Sequence, residues 1–110
     1  MVIRSNGSVS PCQEFMYSHP VYVNAHKKDV HEVIFGDATK ERIKDVWQRK
    51  PYANFREIRR DMARNFPWYG DCPYSTLGCF YTKANEVDCY ANALTCNECL
   101  YSVDLAQCNI

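Results

Sequence analysis

Seven cysteines in 110 residues are the chain's main chemical resource, and six of them fall between Cys72 and Cys108. Their series is Cys72-x6-Cys79-x9-Cys89-x6-Cys96-x2-Cys99-x8-Cys108, while Cys12 stands apart near the beginning. Thiolate sulfur is charged and polarisable, so it binds soft and borderline metals, and a two-residue gap lets two thiolates grip one site. Cys96-Asn97-Glu98-Cys99 has that gap. Four thiolates close one site, whereas two fully thiolate-ligated 4Fe-4S clusters need eight, one more than the chain's seven. Two other readings of the spacing stay open. Cys96 and Cys99, with two of Cys72, Cys79, Cys89 and Cys108, would close a tetrahedral zinc site. Disulfides are the covalent alternative, which an odd cysteine count and the lack of a secretory signal disfavour.

Other side chains are weaker candidates. His19, His26 and His31 do not form a pair spaced like a zinc motif and read as solvated or capping residues. Arg56, Arg59, Arg60 and Arg64 could dock a phosphate or an acidic partner, but a charged stripe opposite an apolar one reads first as the solvated face of a helix. Tyr69, Tyr74, Phe80, Tyr81, Tyr90 and Tyr101 interleave with the cysteines and would either shield a sulfur site from water or pack a core.

The elements that must position these groups are short. Val2-Ile3, a turn at Ser5-Asn6-Gly7-Ser8, and Val9-Ser10 form a hairpin in which Asn-Gly supplies positive φ, and Pro11 ends the second strand. Val21-Tyr22-Val23 and Val33-Ile34-Phe35 are candidate strands separated by a polar segment from Asn24 to Asp29. Asp37 or Thr39 caps a helix over about 40–49, whose apolar stripe is Ile43, Val46 and Trp47. Pro51 breaks it, and a second helix over about 52–65 puts Phe55, Ile58 and Met62 on one side before Pro67. From Gly70 onward no period longer than a few residues survives, which is how loops wrapped on a cofactor read. The expected fold is a small α+β domain: an N-terminal β-hairpin (1–12), a helical middle (39–66) and an irregular cysteine-rich segment (67–110), as one domain over 1–110.

Charge narrows the partners. Thirteen Lys and Arg balance thirteen Asp and Glu, so neither nucleic acid nor an anionic membrane is the default partner. The balance is local, however: residues 40–64 carry nine basic and four acidic side chains, while residues 71–110 carry five acidic residues and Lys83 alone. No stretch approaches the roughly 18 apolar residues of a membrane span, and the N-terminus lacks the apolar run of a secretory signal, so the expected location is the cytoplasm.

In order along the chain, Asn6-Gly7-Ser8-Val9-Ser10-Pro11-Cys12, Phe35-Gly36-Asp37, Val46-Trp47, Phe66-Pro67, Asp71-Cys72-Pro73, Asn85-Glu86-Val87-Asp88-Cys89 and Cys96-Asn97-Glu98-Cys99-Leu100 resemble the C-terminal SPASM domain of radical-SAM enzymes. In that family a Gly-x4-Cys hairpin, matched here by Gly7 and Cys12, delivers its cysteine as a cluster ligand. The resemblance implies a module that binds auxiliary 4Fe-4S clusters, with Cys12, Cys72, Cys79, Cys89, Cys96, Cys99 and Cys108 as the ligand candidates. It also implies that Trp47 belongs to the core. The partner it implies is a radical-SAM barrel domain or protein, served by electron transfer or by placement of a substrate such as a peptide.

The chain departs from the family pattern in three places. The family has a further cysteine before the Gly-x4-Cys hairpin, which this sequence does not contain. Where the family has Cys-x2-Cys after the second helix, this chain has Tyr69-Gly70-Asp71-Cys72, with tyrosine in place of the first ligand. No three cysteines have the Cys-x3-Cys-x2-Cys spacing of the SAM-cleaving site. The expectation is therefore one 4Fe-4S cluster, a second one being incomplete, in a chain that is not a complete enzyme alone. A truncated reading frame, a split gene product and an excised domain would each produce it.

Overall fold

The structure, a computed structural model, describes residues 1–23, 25–60, 82–89, 91, 94, 95, 105 and 108. In chain order its elements are β1 (Val2–Ile3), β2 (Ser8–Ser10), β3 (His19–Val23), β4 (His26–Val30), β5 (Gly36–Asp37), α1 (Ile43–Gln48) and α2 (Lys50–Arg60). They form two antiparallel sheets and a pair of short helices, a small α+β arrangement as expected.

The first hairpin forms where the sequence places it. Val2 pairs with Ser10 and Ile3 with Val9, and Gly7 turns the chain at φ +89°. The Asn6 side chain accepts a hydrogen bond from the Ser8 amide at 3.1 Å, as Asn does in tight turns. β2 then lies between β1 and β5, pairing Ser8 with Asp37 and Val9 with Gly36.

The middle of the chain differs from the expectation. The polar segment after Val23 is not a separator: His26–Val30 is a strand, joined to β3 with Val23 opposite His26 and His19 opposite Val30. Ala25, at the bend between them, has φ +65°. Val33-Ile34-Phe35, expected as a strand, belongs to no ladder, although Val33 and Phe35 are buried and Ile34 exposed, the alternation of an extended segment. Its amides bond singly, Val33 to the Phe15 carbonyl at 3.0 Å and Phe35 to the Val9 carbonyl at 2.8 Å. The ladder begins one residue later, at Gly36, where a side chain would strike buried Val46: a Cβ there would lie 2.6 Å from Val46 Cγ2.

Asp37 and Thr39 cap a turn and not the helix. Asp37 Oδ1 accepts from the Thr39 amide at 2.9 Å and hydroxyl at 2.6 Å, and its carbonyl accepts from the Lys40 and Glu41 amides. The helix starts only at Ile43, with Arg42 as an N-cap that offers no side-chain acceptor. It stops before Pro51 as expected, but Pro51 sits inside the first turn of α2, where its missing N–H leaves no intrahelical bond unmade. The core is Val9, Phe15, Val30, Val33, Phe35, Val46, Tyr52 and Phe55, with Cys12, Val21, Ala38, Ile43, Ile58 and Leu94 packed against it. Phe35 stacks on Tyr52 at 4.6 Å between centroids and meets Phe55 edge-on at 5.6 Å. Trp47, expected in the core, is 38% exposed and closes its rim.

Candidate functional site

Cys12 leaves β2 directly after Pro11, which ends the strand, and its half-buried side chain rests against the core. Tyr52, on the first turns of α2, is fully buried in that core. Burial raises the affinity of the Tyr52 phenol for its proton, and the Arg56 guanidinium stacked on its ring opposes this. Arg56 is 8% exposed, its guanidinium 3.9 Å above the Trp47 ring and 4.7 Å above that of Tyr52. Such cation–π stacking holds the head group without satisfying its donors. Three buried side-chain polar atoms lack a hydrogen-bond partner among the described residues: Ser10 Oγ, Tyr52 Oη and one terminal Arg56 nitrogen. Ser10 lies on β2 two residues before Cys12, and Tyr52 and Arg56 lie on α2. Arg56 also lines, with Ala53, Glu57 and Arg60, a concavity of about 280 Å³.

The burial of Arg56 and Arg59 corrects the expectation of a solvated arginine face. Arg59, 3% exposed, stacks over the Phe55 ring at 3.4 Å, donates to the Phe55 carbonyl at 3.0 Å and donates also to the Leu94 carbonyl. Arg60 is exposed, and Arg64 lies outside the described residues.

Cys89 is exposed on a second support. The loop that carries it is closed by Leu94 N–H to the Glu86 carbonyl at 2.8 Å and Thr95 N–H to the Asn85 carbonyl at 3.2 Å. Asn85, 1% exposed, fixes that loop to the end of β4: its side chain accepts from the His31 amide at 2.8 Å and donates to the His31 carbonyl at 2.9 Å. The buried Lys28 ammonium donates to the Thr82 hydroxyl at 2.7 Å, and the Asp29 amide donates to the Lys83 carbonyl at 3.0 Å. The sequence reading missed these anchors, because a polar strand and a buried Asn look like loop residues until their partners are in place. The run Asn85-Glu86-Val87-Asp88-Cys89 was the available signal.

Cys108 is half-buried, and Cys72, Cys79, Cys96 and Cys99 lie outside the described residues. So do Tyr69, Tyr74, Phe80, Tyr81, Tyr90 and Tyr101. Among the described residues no three of His, Cys, Asp and Glu come together as a metal site. The histidines take local roles: His19 lies 2.9 Å from the Tyr17 carbonyl and 3.3 Å from the Glu14 carboxylate, and His26 and His31 are exposed. Among the described residues no helix is long and apolar enough to cross a membrane.

The donor set fits a sulfur-ligated cluster: the described thiols are Cys12 and Cys108, half-buried, and Cys89, exposed, and thiolates are the ligands such a cluster takes.

Residues 1–100 match the family model of SPASM, described as an iron-sulfur cluster-binding domain. The chain is also 30% identical, over 109 residues, to the tungsten-containing aldehyde ferredoxin oxidoreductase cofactor-modifying protein of Pyrococcus furiosus. That alignment takes in 99% of this chain and 30% of the relative, so the chain spans about a third of the length of the protein it resembles. No solved structure matches.

Proposed function

The chain belongs to the SPASM iron-sulfur cluster-binding domain family, and from that membership we propose that it forms one module holding a 4Fe-4S cluster for a radical-SAM barrel. The match over residues 1–100 carries this reading, since it takes in Cys12, Cys72, Cys79, Cys89, Cys96 and Cys99. Cys108 completes the ligand candidates. A bound cluster supplies one-electron redox chemistry and an iron on which a substrate group can rest. The chain's own residues do the rest. The hairpin and α2 fix Cys12 against the core, and Asn85 ties the Cys89 loop to β4, so two ligand candidates hang from packed elements. Such support lets a metal site keep its geometry and exclude water.

The likeness to a cofactor-modifying protein supports a role in maturing a cofactor, with SAM cleavage left to the barrel. In that setting the module passes electrons or places the substrate, a peptide being one such substrate. The reading places it in the cytoplasm, where thiolates stay reduced.

Iron and acid-labile sulfide analysis of anaerobically reconstituted protein, with an absorption spectrum, tests the proposal. About four irons per chain with broad absorption near 400 nm supports it. Stoichiometric zinc in place of iron, or neither metal, overturns it.

A further inference from the structure

We propose that the concavity lined by Ala53, Arg56, Glu57 and Arg60 on α2 binds a carboxylate side chain of an acidic polypeptide segment. It does so with or without a bound cluster. These residues recur at the three- and four-residue spacing of one helix face, so the described walls lie on a single side of α2. At about 280 Å³ the space exceeds what a carboxylate group fills, and Ala53 offers a small apolar wall for the methylenes of a glutamate side chain.

The charge on these walls is what calls for an anion. Among the described residues Arg4, Arg42 and Arg49 each meet a carboxylate, and Arg59 donates to two carbonyls. The ion pairs around the helices, Arg42 with Asp45 and Arg49 with Glu41, include neither Arg56 nor Arg60 nor Glu57. A guanidinium cannot discard its charge when buried, and a buried cation without an acceptor is costly. Arg56 is only 8% exposed, with one terminal nitrogen lacking any partner, and its contacts with the Trp47 and Tyr52 rings fix the head group while leaving its N–H edge for an acceptor. Arg60 follows four residues later, where like charges on a helix repel, and it is exposed. Two cations and the Glu57 carboxylate leave a single positive charge, which matches one carboxylate. A phosphoryl group, close to a dianion at neutral pH, would meet repulsion from Glu57.

The test uses the full chain, prepared anaerobically, and the fluorescence anisotropy of a labelled oligoglutamate peptide, with an oligoglutamine peptide as control. The oligoglutamate peptide is expected to bind and the oligoglutamine peptide not to bind. Arg56→Met is expected to weaken binding about tenfold. Arg60→Gln, at an exposed position, is expected to weaken it about threefold, and it carries the test should Arg56→Met fail to fold. Glu57→Gln is expected to tighten binding, because the competing carboxylate is gone. Equal binding of the two peptides, or an affinity unchanged in Arg60→Gln, would overturn the site. Inorganic phosphate displacing the peptide more effectively than acetate at matched ionic strength would overturn the choice of a carboxylate.

Discussion

Gly7 illustrates how one residue carries two constraints. Its φ of +89° is open to glycine and costly for other residues, and a Cβ there would lie 2.5 Å from Thr39 Cγ2 and 2.7 Å from Asp37 Oδ1. Strain in the left-handed region costs about 1–3 kcal/mol, and the clash adds to it, so Gly7→Ala is expected to destabilise the fold by about 2 kcal/mol or more in chemical denaturation. The sequence discloses the turn through Asn6-Gly7 but not the second constraint, because Thr39 reaches the glycine only after the sheet has formed. Asp37, the other group in that contact, makes a pH-dependent contribution. Hydrogen bonds from the Thr39 hydroxyl, Lys40 and the Thr39 amide lower its carboxyl from the ordinary 3.8 to about 2. The folded chain thus binds this proton more weakly than the unfolded chain does. The contribution is complete above the unfolded value and is lost as pH falls through the folded one, at about 2. Thermal melts across that window should show a fall in stability that is smaller in Asp37→Asn than in the native chain.

At the level of elements, legibility followed the source of the burial. The first hairpin and the break near Pro51 were readable because turn chemistry and proline act locally. β4 was not, since His26-Lys27-Lys28-Asp29-Val30 is mostly polar and includes a lysine that is buried with its ammonium donating to Thr82, 54 residues away. The arginines of α2 misled for the same reason: the Phe55 ring is four residues away, but the Leu94 carbonyl that Arg59 binds comes from 35 residues downstream. That bond fastens the last described helix to the cysteine-bearing part of the chain. Charge-assisted hydrogen bonds contribute about 1.5–3 kcal/mol, so Arg59→Met, which keeps the aliphatic stem, is expected to lower stability by about 2 kcal/mol. Amide exchange should locate the loss, with faster exchange at Thr95, whose N–H closes the loop beside Leu94. Uniform acceleration along the chain would mean that Arg59 serves the core and not the junction.

Across the whole molecule, the two parts are held by different forces. Among the described residues, every fully buried core residue, from Val9 to Phe55, comes from the first half of the chain, where burial of apolar surface is the main stabilising term. The described residues from Thr82 to Thr95 attach mainly through polar bonds, Lys28 to Thr82, Asp29 to Lys83, Asn85 to His31 and Arg59 to Leu94, with Leu94 alone packed on the core. The sequence showed this division as a change from periodic to aperiodic residues, and it showed which residues were thiols. It did not show which thiols share a site, because ligand grouping is a property of the closed structure and not of spacing. Metal ligation supplies folding free energy to a cysteine-rich segment. Hydrogen exchange with and without reconstituted cluster should then separate the halves: protection across β2, β3, β4 and α2 persists without metal, while amides at Ala91, Leu94 and Thr95 gain protection when the cluster is loaded. Loss of protection throughout the metal-free chain would instead show that the eight core residues cannot hold the first half together without the thiolates, making metal binding and folding one event.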